Sequence, residues 1–444
     1  MDRREFIAGS TGAFFIAASG KAFGAAAPSN RIRAALVGCR KGGRGEWVGR
    51  YAIKNPGFEI VCVCDVDSRA MDYSADLFGS LQGFPVRKEK DFRKVLEMKD
   101  VDAVISETPD HFHAYSAVMA MRAGKHVYVE KPCAFCPQEL FAMRRVQKET
   151  GMVFQQGSQR RSAPAFIAAV KAIREENLIG EPRWGKCWYN TVRKPIGRGK
   201  PADVPEWLDW DLWQACAPRE QYRDNVVHYN WHWFRKWGTG ECGNNSVHFV
   251  DVARWMLGCE WPERIVSGGG KYWMPEDQDW EWPDTQMISY EFPGKKFITW
   301  EGTCCTNVKP YMDLSTAAMV YGDKGAVLFE PGGAVKLFDN KSNLVREWEA
   351  DFKSDAKFDV RVGGVDATSL HFGNFADCIR NNTPEKCSAN VDVGTKSTYL
   401  ALMGNIAQTT GEVLKVDSGT GDLLSGGEAA KLWSREYAKG WEVA

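Results

Sequence analysis

The chain has 444 residues, 44% of them hydrophobic, and carries 57 basic against 57 acidic side chains. That length exceeds one ordinary core, so two domains are expected. The even charge balance gives no electrostatic case for nucleic acid, and no apolar run approaches the roughly 20 residues that span a bilayer. With 18 Trp, 23 Phe and 13 Tyr the chain can bury a large core, which excludes a disordered polymer.

Residues 1–27 read as a leader. Arg3-Arg4, one spacer and Phe6-Ile7 match the twin-arginine export pattern, followed by a mildly apolar Gly/Ser/Ala stretch and an A-x-A-like end at Ala25–Ala27. That route carries folded proteins, so a periplasmic destination is expected, with any nucleotide loaded before export and held tightly. All thirteen Cys lie beyond the leader. Cys62 and Cys64 read as core residues, and Cys133-x-x-Cys136 has no second pair to complete a four-ligand site.

From residue 28 to 156, short apolar strands alternate with helices, which reads as a doubly wound parallel sheet. The first strand, Ile32 to Val37, ends in Gly38, and a glycine loop leads into a helix. The spacing Gly38-x-Arg40-x-x-Gly43 departs from G-x-G-x-x-G at its middle position, where Arg40 must turn aside or lie over a cofactor. A loop of this kind before a helix N-terminus suits a pyrophosphate. Asp65 ends the second strand, where a carboxylate receives the adenosine ribose. It favours NAD over NADP, with Arg40 and Arg69 keeping NADP open. The third strand runs into Thr108-Pro109-Asp110-His111-Phe112-His113, and the strand His126–Val129 runs into Glu130-Lys131-Pro132.

These motifs together, with Ala123-Gly124-Lys125-His126-Val127, resemble the glucose–fructose oxidoreductase / inositol dehydrogenase / rhizopine catabolism family over nearly the whole chain beyond the leader. The exported twin-arginine members look most similar. The resemblance implies a Rossmann domain and a second α/β domain, residues 157–444, whose large, mostly antiparallel sheet carries the substrate and the oligomer contacts. It puts Lys131 beside the nicotinamide and the reacting hydroxyl. It matches His248 to a second-domain histidine, but Asn244 stands where the family usually has an aspartate. Four-residue spacing places Asn244 and His248 on one helix face.

Oxidising a secondary alcohol requires removal of the hydroxyl proton, transfer of a hydride and stabilisation of charge on oxygen. His248 suits the general base and Lys131 the stabiliser of alkoxide character, with no metal needed. Asn244 can hydrogen-bond substrate but cannot take a proton. His232 is a second candidate base or sugar ligand. His111 and His113 read as cofactor-side or helix-start groups, and Glu130 as part of the cofactor turn. Fourteen of the 18 Trp fall between Trp184 and Trp300, which suits stacking on sugar rings or packing of the sheet. The irregular stretch Val192 to Gly240 reads as a long loop over the site. The expected activity is NAD-dependent oxidation or reduction of a ring hydroxyl of a sugar or glycoside by a homo-oligomer. The alternatives are a redox-neutral glycosidase or lyase working through transient oxidation, and a silent sugar-binding relative.

Overall fold

The computed structural model describes residues 31–54, 57–350 and 365–443. The leader expected at residues 1–27 lies outside the described residues. Among the described residues no helix is long and apolar enough to cross a membrane.

The N-terminal sheet has six parallel strands: β1 (Ile32–Val37), β2 (Phe58–Cys64), β3 (Arg87–Glu89), β4 (Ala103–Ser106), β5 (His126–Val129) and β6 (Phe154–Gln156). Their order is β3-β2-β1-β4-β5-β6. β1, β2 and β4 are buried on both faces, as their nearly continuous apolar sequences require, while the edge strand β3 is charged and largely exposed. Five helices wind around them: α1 (Arg44–Lys54), α2 (Ser68–Gln82), α3 (Phe92–Glu97), α4 (Asp110–Arg122) and α5 (Pro137–Thr150). The order reverses between β1 and β4, so their carboxyl ends open a crevice.

The second sheet has nine strands. They are β7 (Pro182–Asn190), β8 (Arg264–Gly270), β9 (Thr285–Phe292), β10 (Lys296–Thr303), β11 (Thr316–Gly322), β12 (Gly325–Phe329), β13 (Val335–Asp339), β14 (Leu344–Trp348) and β15 (Leu414–Lys415). The order is β14-β13-β12-β11-β7-β10-β9-β8-β15. Only β7 and β10 pair in parallel; every other neighbour is antiparallel. The central strand, β7, falls in a segment the sequence reading passed over. Helices α6 (Pro164–Glu175), α8 (Val247–Leu257) and α10 (Val391–Thr410) cover one face, while the short α7 (Trp210–Gln214) lies in the loop 192–240.

The later part of the chain returns to the first sheet. In α9 (Val365–Asn381), Phe372 stacks on Tyr128 at 4.5 Å and Phe375 on Phe58 at 5.8 Å. Near the C-terminus Trp441 packs on Tyr115 at 5.0 Å. Each such aromatic pair adds about 1 kcal/mol beyond burial, so the crevice is framed on several sides. The tryptophans of the loop mostly pack one another: Trp210 stacks on Trp213, and both meet Trp237 edge-on. All thirteen cysteines are free thiols, and all but Cys305 are buried.

Candidate active site

The glycine loop owes its shape to close approaches. Gly38 has φ +81°, and a Cβ there would lie 2.6 Å from the carbonyl oxygen of Glu107. In the first turn of α1, a Cβ on Gly45 would lie 1.8 Å from the Gly38 carbonyl oxygen, so Gly45 is the glycine that lets helix and strand meet. Gly43 is also crowded, against the Arg40 carbonyl, to which its N–H donates at 2.9 Å. Asp65 accepts the Cys39 N–H at 2.8 Å and the Asp67 N–H at 3.0 Å. It therefore braces the loop, and burial pushes its carboxyl above the usual range. Arg69 is committed elsewhere: Nε and Nη2 bond Asp67, and its guanidinium stacks on Trp207 at 3.5 Å.

A cavity of about 1240 Å³ runs from this loop to the second sheet. Gly38, Arg40, Gly43 and Asp65 line one end, and Thr108, Pro109, His113, Glu130 and Lys131 line its middle. Its size, the closely packed glycine loop, the helix N-terminus and the carboxylate together fit a dinucleotide with room for a small substrate.

At the far end, Lys131 meets the second domain. Its Nζ donates to the Asn244 carbonyl oxygen at 2.7 Å and to Asn244 Oδ1 at 3.1 Å. Asn244 sits in a single wide π-turn, Cys242–Ser246, that feeds directly into α8, where His248 occupies the first turn. Both line the cavity, so the four-residue spacing does bring them to one wall although the turn is not α-helical. Burial lowers the Lys131 ammonium from its ordinary value, and Arg44 acts in the same sense against Glu130 and Asp110. Burial, with Arg160 and Lys131 nearby, holds His248 well below the usual imidazole range, so its ring is neutral. His113 Nδ1 donates to the Pro132 carbonyl at 2.7 Å and fixes the turn that carries Lys131.

For two predicted residues the structure favours one of the two readings: helix start for His111 and a wall position for His232. His111 does not reach the cavity: it is fully buried, its Nε2 donates to the Trp213 carbonyl at 3.1 Å, and burial pushes it down to about 3. It joins α4 to the loop rather than contacting a cofactor. His232 does line the cavity, but it stacks on Trp231 at 3.6 Å and its Nδ1 donates to the Tyr229 carbonyl at 2.6 Å. Burial pushes it down to about 3, which makes it a poor base and leaves it a hydrogen-bonding wall residue.

Sequence reasoning missed the ion pairs that span the site. Arg44 holds Glu130, and His228 Nε2 lies 2.9 Å from Asp67 Oδ2, joining the loop to the nucleotide end. In the substrate end, Arg193 Nε and Nη2 bond Glu241 at 2.9 and 3.0 Å, and Arg193 Nη1 bonds the Tyr229 hydroxyl at 3.0 Å. Glu241 also receives the Asn245 amide. The partners are 48 residues apart, and only the aromatic and charged density of the segment hinted at them.

A Rossmann sheet whose open crevice faces a second-domain chamber across a half-buried lysine has the layout of a dinucleotide-dependent oxidoreductase. The model of the oxidoreductase family's NAD-binding Rossmann fold matches residues 32–158, and that of the same family's C-terminal α/β domain matches residues 214–390. The chain belongs to this family, the Gfo/Idh/MocA oxidoreductases, among which are sugar and polyol dehydrogenases. It is 27% identical over 381 residues to scyllo-inositol 2-dehydrogenase (NAD(+)) of Bacillus subtilis, covering 83% of this chain and 94% of that one. It is 28% identical over 190 residues to levoglucosan dehydrogenase of Pseudarthrobacter phenanthrenivorans, covering 40% of this chain and 42% of the relative. Among solved structures, an oxidoreductase from Agrobacterium radiobacter in complex with NAD+, L-tartaric acid and magnesium shares the fold. Its TM-score is 0.65 at 17% identity, over 88% of this chain and 99% of that one.

Proposed function

We propose that this chain oxidises or reduces a ring hydroxyl of a sugar or glycoside, with NAD held tightly in the crevice. The observation that carries the reading is the meeting of Lys131, from the turn after β5, with Asn244 and His248 in one cavity continuous with the nucleotide cradle. A bound nicotinamide dinucleotide supplies the hydride acceptor or donor. The Gly38–Gly45 loop and the N-terminus of α1 receive the pyrophosphate, and Asp65 receives the adenosine ribose. Lys131 and His248 then flank the place where a substrate hydroxyl must sit, and stabilise or accept its proton. Tyr189, Asn190, Tyr229 and Asn245 add neutral hydrogen-bonding groups to the chamber, and Glu241 cancels the charge of Arg193. A neutral, polyhydroxylated ring suits such a wall better than an acid does.

The proposal extends to export of the folded, cofactor-loaded protein and to a homo-oligomer. It is supported by the Arg3-Arg4 leader and by the family resemblance. The test is to give the purified protein a panel of glycosides while following the reduced-nicotinamide absorbance and the release of free sugar. Net reduction by at least one glycoside is expected. Sugar release without net reduction would move the assignment to redox-neutral bond cleavage. Binding with neither signal would leave a silent sugar-binding protein.

A further inference from the structure

Residues 207–209 of the long second-domain loop lie along residues 66–68, which follow Asp65 in the first domain. The Ser68 N–H donates to the Trp207 carbonyl at 2.9 Å, and the Asp209 N–H donates to the Val66 carbonyl at 3.0 Å. Between them Leu208 bridges Asp67 in antiparallel fashion. Side chains reinforce this edge. Lys90, just after β3, pairs with Asp209 at 2.8 Å. The Arg69 guanidinium stacks on Trp207, and His228, further along the loop, reaches Asp67. The helix α7 follows directly after Asp209, and His111 holds it through the Trp213 carbonyl. The same region walls the large cavity. Asp65 stands at the ribose position, so the base of a dinucleotide lies beyond it. There the cavity is lined by Val66, Lys90 and Phe92 of the first domain and by Leu212, Trp213 and His228 of the second.

We propose that this segment is a strap: the second domain completes the adenosine site, and a nicotinamide dinucleotide enters or leaves only when residues 207–209 peel away from residues 66–68. This rests on the reading of the crevice as a tight dinucleotide site and does not depend on the sugar. The bonds of the strap join protein to protein. The nucleotide takes no part in them, so breaking them costs the same on entry as on exit. A kinetic signature follows. Losing a contact to the nucleotide speeds release alone. Loosening the strap speeds binding and release by the same factor, and leaves affinity nearly unchanged, because the open state is visited more often in both directions. The cofactor is then retained by a slow gate as well as by its own contacts.

The strap can be loosened without touching the cavity, since neither Ser68 nor Trp207 lines it. Ser68 is the first residue of α2, and Asp67 before it is extended, at φ −95° and ψ 111°. Both settings accept a proline, so Ser68→Pro deletes the N–H that holds Trp207 and keeps the helix. Trp207→Ala removes the face on which Arg69 stacks, and covers the case that the proline variant fails to fold. Chasing the NADH-loaded full chain with excess NAD follows release by nicotinamide fluorescence. Stopped-flow mixing of the nucleotide-free protein with NADH follows binding. Each variant is expected to raise both rate constants about fivefold, with Kd changed by less than about twofold. Faster release with unchanged binding would overturn the proposal, because it marks a lost nucleotide contact rather than a gate. Wild-type rates in the folded variants would overturn it too. A protein that binds no NADH would sink the cofactor reading and the strap together. Failure to transfer hydride to or from any glycoside would sink only the substrate assignment and leave the two rates standing.

Discussion

Arg44, in the first turn of α1, donates Nε and Nη2 to one oxygen of Glu130, each at 3.1 Å. The pair pins the glycine loop to the turn bearing Lys131, so the loop and the Lys131 amine are positioned together. Glu130 is buried, and against the cost of that burial Arg44 and Lys131 hold its carboxyl below the usual range. Arg44→Ala leaves a buried carboxylate short of its cation, at a cost of about 3 kcal/mol. Urea unfolding should show that loss, and Arg44→Ala combined with Glu130→Gln should recover more than half of it. Additive losses in the double variant would show that the two side chains do not act as a pair.

The glycine loop separates two kinds of glycine. A Cβ on Gly45 would lie 1.8 Å from a backbone oxygen, which no rotamer can relieve. Gly42 has φ +66° but open space around its missing Cβ. Gly45→Ala should therefore reduce NAD affinity by at least about 100-fold, since helix and strand must part. Gly42→Ala should cost only the roughly 1 kcal/mol of a left-handed alanine, or less than about tenfold. Titration of nicotinamide fluorescence quenching checks both. Equal effects would deny Gly45 its special place.

Four strands of the first sheet, β1, β2, β4 and β5, were legible because each is a short apolar run closed by a residue that chemistry marks: Gly38, Asp65, Thr108 or Glu130; the charged edge strand β3, Arg87-Lys88-Glu89, gave no such signal. The central strand of the second sheet was not. Along β7, Trp184, Lys186 and Trp188 alternate with Gly185, Cys187 and Tyr189, so aromatics point both ways and no face reads as the core. Lys131 and His248, picked out by motif, line one cavity, but their setting was not legible. The sequence places Asn244 113 residues from Lys131, and nothing local says that it supplies both of the amine's acceptors. His111 misled for a related reason: its position after β4 suggests the crevice, while Trp213, 102 residues on, captures its ring.

Asp65 braces the loop, and the proposed function gives it cofactor recognition as well; the two can be told apart. Its oxygens already hold two backbone N–H groups, each charge-assisted bond being worth about 1.5–3 kcal/mol. Asp65→Asn can still accept one of them but has no negative charge. It should weaken NAD binding by about tenfold and weaken NADP binding less, because the repulsion of the extra phosphate is gone. Calorimetric titration with both cofactors measures the ratio. An unchanged ratio would leave Asp65 as a loop brace alone.

His371 should make the protein lose stability in mild acid. Its Nε2 donates to the Gln156 carbonyl at 2.8 Å, so Nδ1, 2.7 Å from Ser162 Oγ, must accept the serine hydroxyl. The ring is therefore neutral and satisfied while α9 lies on the first sheet. Burial pushes it down to about 4, below the roughly 6.5 of an unfolded histidine. The unfolded chain then binds the proton first. The stability that His371 contributes is complete above about pH 6.5 and drains away as pH falls toward about 4, at about 1.4 kcal/mol per unit. His371→Gln keeps a buried polar group without that titration. It should lower stability at pH 7.5 by about 1–3 kcal/mol through imperfect hydrogen bonds. Between pH 6 and 4.5, however, its unfolding free energy should fall less steeply than that of wild type, by about 1.4 kcal/mol per unit. Parallel urea series at four pH values measure the two slopes, and equal slopes would show that His371 does not titrate between the folded and unfolded states.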